Sequence, residues 1–131
     1  MARRPPQQIG YARCATAERG LDHQVEALQA AGCARVVVDR GDLTLEERPA
    51  LAAMLGEVRS GDTVTVSSLD RVGRSLRHLV ETVAELQRRG VRFRSLREDI
   101  DTWSDGGVWP SARVFVGLAQ FERDVGQEVY P

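Results

Sequence analysis

Apolar positions along this chain switch between two spacings, one that suits strands and one that suits helices. Residues 8–13, Gln-Ile-Gly-Tyr-Ala-Arg, read as a first strand that ends at Cys14-Ala-Thr16. Leu21, Val25 and Leu28 then fall at helical spacing until Gly32 stops them, with Asp22 available to cap the start. Residues 35–39, Arg-Val-Val-Val-Asp, are short and β-branched, the pattern of a strand buried on both faces. Residues 40–47 carry no period and read as an exposed loop. Arg48-Pro49 opens another helix, whose inner face is Leu51, Met54, Leu55 and Val58. After Ser60-Gly61, residues 62–68 alternate polar and apolar and predict a strand. Leu76, Leu79, Val80, Val83 and Leu86 predict a helix over 75–89. Gly90 ends it, and 91–96 form a further strand. Residues 97–109 mix Asp, Thr, Ser, Gly and Trp and read as an irregular crossing with room for one short edge strand. Pro110 starts a last, long helix over 110–131, on which Val114, Leu118, Phe121, Val125 and Val129 make a stripe.

Strand followed by helix, four times over, predicts an α/β fold. It has three layers: a mainly parallel sheet of four strands, or five with the short edge strand, helices on both faces, and the long C-terminal helix. Right-handed crossovers place the strand ends after residues 13, 39, 68 and 96 on one edge of the sheet. No repeat, low-complexity stretch or linker divides the chain, so residues 1–131 read as one domain with 1–7 as a loose arm.

In open α/β sheets ligands bind outside the carboxyl ends of the strands. The stretch Leu69-Asp-Arg-Val-Gly-Arg-Ser75 lies there, where a buried strand hands over to a helix. Two guanidiniums and a carboxylate, with a glycine to let the backbone turn, suit an anionic group such as a phosphate. A surface loop with an Asp–Arg pair is the plainer reading of the same residues. Side chains alternate along a strand, so if Arg13 faces this edge then Ala15 does too, and Cys14 faces the core.

Composition narrows the class. At 42% hydrophobic and 28% charged residues the chain is globular rather than disordered. No apolar run approaches the ~20 residues of a membrane helix, and the charged start has no apolar stretch behind it. A cytoplasmic protein is the default expectation. The net charge of −1 gives no overall basic field. All 18 basic residues are arginine, which a bias in genome composition accounts for, so only placed arginines bear on function. Cys14 and Cys33 are isolated, and with His23 and His78 they form no metal-ligand spacing; no metal or cofactor is expected.

Four pieces taken in order resemble the catalytic domain of the serine recombinases, the resolvase/invertase family. They are Tyr11-Ala-Arg-Cys-Ala-Thr16; Leu21-Asp-His-Gln24 with Leu28 and Ala31-Gly-Cys33; Arg48-Pro-Ala-Leu51; and Leu69-Asp-Arg-Val-Gly-Arg-Ser75. Ile100-Asp-Thr102 and Ala119-Gln-Phe-Glu-Arg123 echo them. The resemblance spans residues 8–125. It implies DNA strand exchange: a serine hydroxyl attacks a backbone phosphodiester, forms a 5′-phosphoserine link, and the cut strands of a synaptic tetramer are exchanged and rejoined without a cofactor. It also implies that Arg13, Arg48, Arg71 and Arg74 bind the scissile phosphate. Gln24 and Asp70 match further active-site positions, with Asp70 open to a proton-transfer or an arginine-orienting role. Plainer readings exist: Arg48 as a helix cap, Gln24 as a solvated helix position, Asp70 as a salt-bridge partner. The strand-end placement supports Arg13, Arg71 and Arg74 independently, whereas Arg48 and Gln24 rest on the resemblance.

The sequence departs from the family at the nucleophile. The motif reads Tyr-Ala-Arg-x-Ser-Thr, and its serine position is Ala15 here. A methyl group cannot form a phosphoester, so the chain is expected to be inactive as it stands. A laboratory substitution and a natural loss both fit; Thr16 and Cys14 should face away from the arginines and do not replace the serine. The loop at 40–47 is more acidic than the family's, Ser68 replaces a common basic residue, and 103–110 holds about one extra residue. The helix-turn-helix domain that follows the long helix in resolvases is not among residues 1–131, so no element for reading base sequence is expected. The expected partners are DNA, through its scissile phosphate, and a second copy in a dimer or tetramer formed through the last helix. A non-catalytic assembly or DNA-phosphate-binding module is the alternative. A flavodoxin-like small-ligand domain is disfavoured, because Cys14-Ala-Thr-Ala-Glu-Arg19 is a poor phosphate cradle without a glycine-rich loop.

Overall fold

The structure is a computed structural model that describes residues 5–14, 20–40, 48–72 and 76–103. Of the expected loop at 40–47, Arg40 belongs to a strand and the rest lies outside the described residues, as do Ala15, Arg74 and the helix over 110–131.

Five strands form one sheet: β1 (Gln8–Cys14), β2 (Arg35–Arg40), β3 (Thr63–Val66), β4 (Arg92–Ser95) and β5 (Ile100–Asp101). Their order is β2-β1-β3-β4-β5, with the first four parallel and β5 antiparallel on β4. Three helices connect them: α1 (Gly20–Ala30), α2 (Pro49–Glu57) and α3 (Leu76–Arg88). The expected mainly parallel α/β sheet is what forms, and the short edge strand foreseen within 97–109 is β5.

Alternation along β1 sorts the two faces. Ile9 and Tyr11 join Val64, Val66 and Phe93 in a core with Leu51 and Met54 of α2 and Leu79, Val83 and Leu86 of α3. Each such side chain contributes about 1.5–3 kcal/mol on burial. Gly10 faces the other way, against α1, and a Cβ there would lie 3.1 Å from both Leu28 and the Cys33 sulfur. Only glycine lets α1 approach the strand this closely. β3 is central, so its threonines are buried along with its valines, and Thr65 takes a hydrogen bond from the Gln8 amide at 2.8 Å.

Two expectations are corrected. Residues 35–39 are not buried on both faces: β2 is the sheet's edge strand, and Val36, Val37 and Val38 are only half-buried. Asp22 is not at the cap of α1, because the helix begins two residues earlier, and Asp22 is exposed in the first turn.

Candidate functional site

β1 stops pairing with β3 at Tyr11, opposite Val66, while its pairing with β2 runs on to Cys14, so the β3-facing side of its end is left to be held by side chains. Gln24 of α1 does this. Its Oε1 accepts the Arg13 N–H at 3.1 Å and its Nε2 donates to the Arg13 carbonyl at 2.9 Å. The amide thus supplies the donor and acceptor that a neighbouring strand would have supplied. At 6% exposure Gln24 is not a solvated helix position.

After β3, a single 3₁₀ turn over Leu69–Arg71 carries Asp70 and Arg71 back toward β1. The Arg13 guanidinium reaches the Asp70 carbonyl at 3.4 Å, and the Arg71 guanidinium donates to the Arg13 carbonyl at 3.1 Å. Each arginine therefore holds the main chain that bears the other. Asp70 accepts a hydrogen bond from the Ser68 hydroxyl, and its Oδ1 lies 3.9 Å from Arg71 Nε. The Nε groups of Arg13 and Arg71 are buried and make no hydrogen bond among the described residues.

Arg48 occupies the residue before Pro49, with non-helical backbone (φ −110°, ψ 75°), since the proline ring disfavours the helical region there. It does not cap α2 with its side chain. The residue is 2% exposed, and its guanidinium donates to the Val72 carbonyl at 2.6 Å and to the Arg71 carbonyl at 3.4 Å. Arg13, Arg48, Asp70, Arg71 and Gln24 are thus brought together at the carboxyl edge of the sheet, where the strand ends alone had placed Arg13 and Arg71.

The roles of Asp39 and Tyr11 escaped the sequence reading. Asp39, at the end of β2, caps α2 from outside the helix: its carboxylate accepts the Ala50 and Leu51 amides at 2.9 and 3.0 Å. It also accepts the Tyr11 hydroxyl at 2.9 Å. Burial, followed by Asp39, pushes the Tyr11 phenol above its usual pKa, against the downward pull of Arg48 and Arg13. The missed signal was a carboxylate ending an apolar strand one connection before an Arg-Pro helix start. Among the described residues no group of His, Cys, Asp and Glu could hold a metal ion, and no helix is long and apolar enough to cross a membrane.

The family model for the resolvase N-terminal domain matches residues 8–129. The probable DNA-invertase y4cG of Sinorhizobium fredii is 44% identical over 115 residues, covering 88% of this chain and 37% of the relative. The serine recombinase gin of Escherichia phage Mu is 42% identical over 117 residues, covering 89% of this chain and 60% of its own length. The chain therefore spans between about a third and three-fifths of these relatives. The crystal structure of the N-terminal catalytic domain of TP901-1 integrase superposes with a TM-score of 0.63 at 23% identity, over 95% of this chain and all of that one. A resolvase family site-specific recombinase from Streptococcus pneumoniae gives 0.66 at 17% identity, over 95% of this chain and 91% of that one. Both have the same fold.

Proposed function

Because this chain belongs to the resolvase N-terminal domain family of serine recombinases, we propose that it is the phosphate-gripping domain of a site-specific DNA recombinase whose own cleavage step is missing. One observation carries the reading. Arg13 grips the Asp70 carbonyl and Arg71 the Arg13 carbonyl, while both keep a buried Nε–H that meets no acceptor among the described residues. A buried unused donor costs about 1–3 kcal/mol, which an anion seated between the two guanidiniums would recover.

A phosphoryl group in transfer spreads charge over its non-bridging oxygens, so its catalysis is largely positioning and electrostatic stabilisation. Arg13 and Arg71 supply planar paired donors to those oxygens, with Arg48 behind them and Arg74 following in the same stretch. Gln24 fixes the strand end, and Asp70 orients Arg71. Ala15 stands at the nucleophile position, where no oxygen can attack phosphorus. The DNA backbone is the substrate, and copies assemble through residues 110–131. The same alanine favours a second reading, a non-catalytic partner in a recombinase assembly.

The test joins the chain to a resolvase-type helix-turn-helix domain and offers it DNA with the matching crossover site. No denaturation-stable protein–DNA adduct forms with Ala15. Ala15→Ser produces one, and adding Arg71→Ala removes it. An adduct from the unaltered chain, mapped to Thr16 or Cys14, overturns the assignment of the nucleophile position. If Ala15→Ser binds its site normally yet forms no adduct, the assembly reading prevails.

A further inference from the structure

Leu69 opens the 3₁₀ turn that carries Asp70 and Arg71, and the first amides of a helical turn find no partner inside it. Ser68, the residue before, makes no side-chain cap, and Leu69 is only 2% exposed. The acceptor comes from the turn that follows β4. Both oxygens of the Glu98 carboxylate lie within reach of the Leu69 N–H, at 3.3 and 3.4 Å. The Ser95 hydroxyl donates to the same carboxylate and holds it in place.

The backbone delivers Glu98 to this point. Leu96 N–H to Val66 carbonyl at 3.0 Å and Arg97 N–H to Ser67 carbonyl at 2.9 Å carry the β3–β4 pairing past the ends of both strands. Asp99, in the left-handed conformation at φ 55°, then turns the chain into β5. The turn is thus gripped at both ends, by Glu98 on its first amide and by Arg48 on the carbonyls of Arg71 and Val72.

We propose that Glu98 is a positioning residue for Arg71, fixing the 3₁₀ turn through its first amide and so setting where the guanidinium stands against a phosphate. This rests on the phosphate-gripping reading above. Without the carboxylate, the buried Leu69 N–H loses its acceptor, and the two bonds inside the turn, Arg71 N–H to Ser68 and Val72 N–H to Leu69, move with it as a unit.

Inorganic phosphate titrated into the chain, followed through the Nε–Hε signals of Arg13 and Arg71, reads the effect. Glu98→Ala weakens phosphate binding about fivefold, the size of a coupling between neighbours. Glu98→Gln, which keeps an acceptor oxygen, restores it. In an Arg71→Lys background the same alanine substitution costs less than about twofold, because the planar fork whose aim the turn dictates is gone. An equal loss in both backgrounds overturns the proposal, as does Glu98→Ala binding like the unaltered chain. If Glu98→Ala does not fold, Ser95→Ala replaces it and weakens binding in the same direction; unchanged binding there overturns the proposal. An unaltered chain that does not bind phosphate overturns the phosphate-gripping reading instead, and the role of Glu98 falls with it.

Discussion

Gln24 and Arg71 meet on one atom, the carbonyl oxygen of Arg13. The Gln24 amide donates to it at 2.9 Å and the Arg71 guanidinium at 3.1 Å. A carbonyl oxygen has two lone pairs, and here a helix fills one and the arginine turn fills the other. The end of β1 is therefore a junction between α1 and the turn after β3, made on main chain rather than side chain.

Gln24→Ala removes one of those donors and leaves the Arg13 N–H with no acceptor beside it. A loss of about 1–3 kcal/mol in unfolding free energy follows. Gln24→Glu keeps the acceptor and loses the donor, so it falls between. Urea unfolding checks both, read as a shift in midpoint with the slope unchanged. An unshifted midpoint in Gln24→Ala shows that the junction does not depend on the amide.

Sulfate or phosphate stabilises the chain more than chloride at equal ionic strength, by roughly 1 kcal/mol when the anion is at several times its Kd. The difference shrinks in Arg71→Ala, which removes a buried Nε–H that meets no acceptor among the described residues. Thermal melts in matched salts measure it. If Arg71→Ala keeps the full anion-specific shift, the anion sits elsewhere.

The sequence carried most of this site, and its limits were physical. Period and punctuation located β1, β3, β4 and α1 to α3, since apolar spacing marks each element and turn residues mark its ends. Strand ends then brought Arg13 and Arg71 to one edge before any distance was known. The burial of Gln24 was also open to inference, because it lies three residues after Leu21 and four before Leu28, on the stripe that faces the sheet. Strand order was not legible. The run Val36–Val38 reads as a central strand, yet it ends up at the edge, because which neighbour a strand takes depends on contacts distant in sequence. The role of Asp39 was hidden for a similar reason: it caps a helix that starts ten residues later, and capping patterns are read locally.

Tyr11→Phe removes the hydroxyl that donates to Asp39 and lowers stability at neutral pH by about 1–3 kcal/mol. It also changes the alkaline limb of the stability curve. The unfolded phenol gives up its proton near pH 10, while the folded one holds it to higher pH. The contribution is therefore complete below about pH 10 and is lost as pH rises toward the folded value. Cys33, whose thiol burial also raises, adds a loss of the same sign from about pH 8.5. Unfolding free energies of the two proteins between pH 8 and 11 should converge as the pH climbs. Parallel curves would show that Tyr11 does not titrate with unfolding.

Arg13, Arg48 and Arg71 all spend hydrogen bonds on main-chain carbonyls, those of residues 70, 13, 71 and 72. Every amino acid owns the same carbonyl, so these bonds dictate nothing about which side chain sits at the accepting position. An arginine tied this way leaves no paired substitution behind when sequences drift, and methods that find contacts from correlated changes are blind to it. For a designer the same fact is a freedom. Residue 72 can be exchanged among apolar side chains that fill its buried space without touching the Arg48 bond, provided the turn keeps its course.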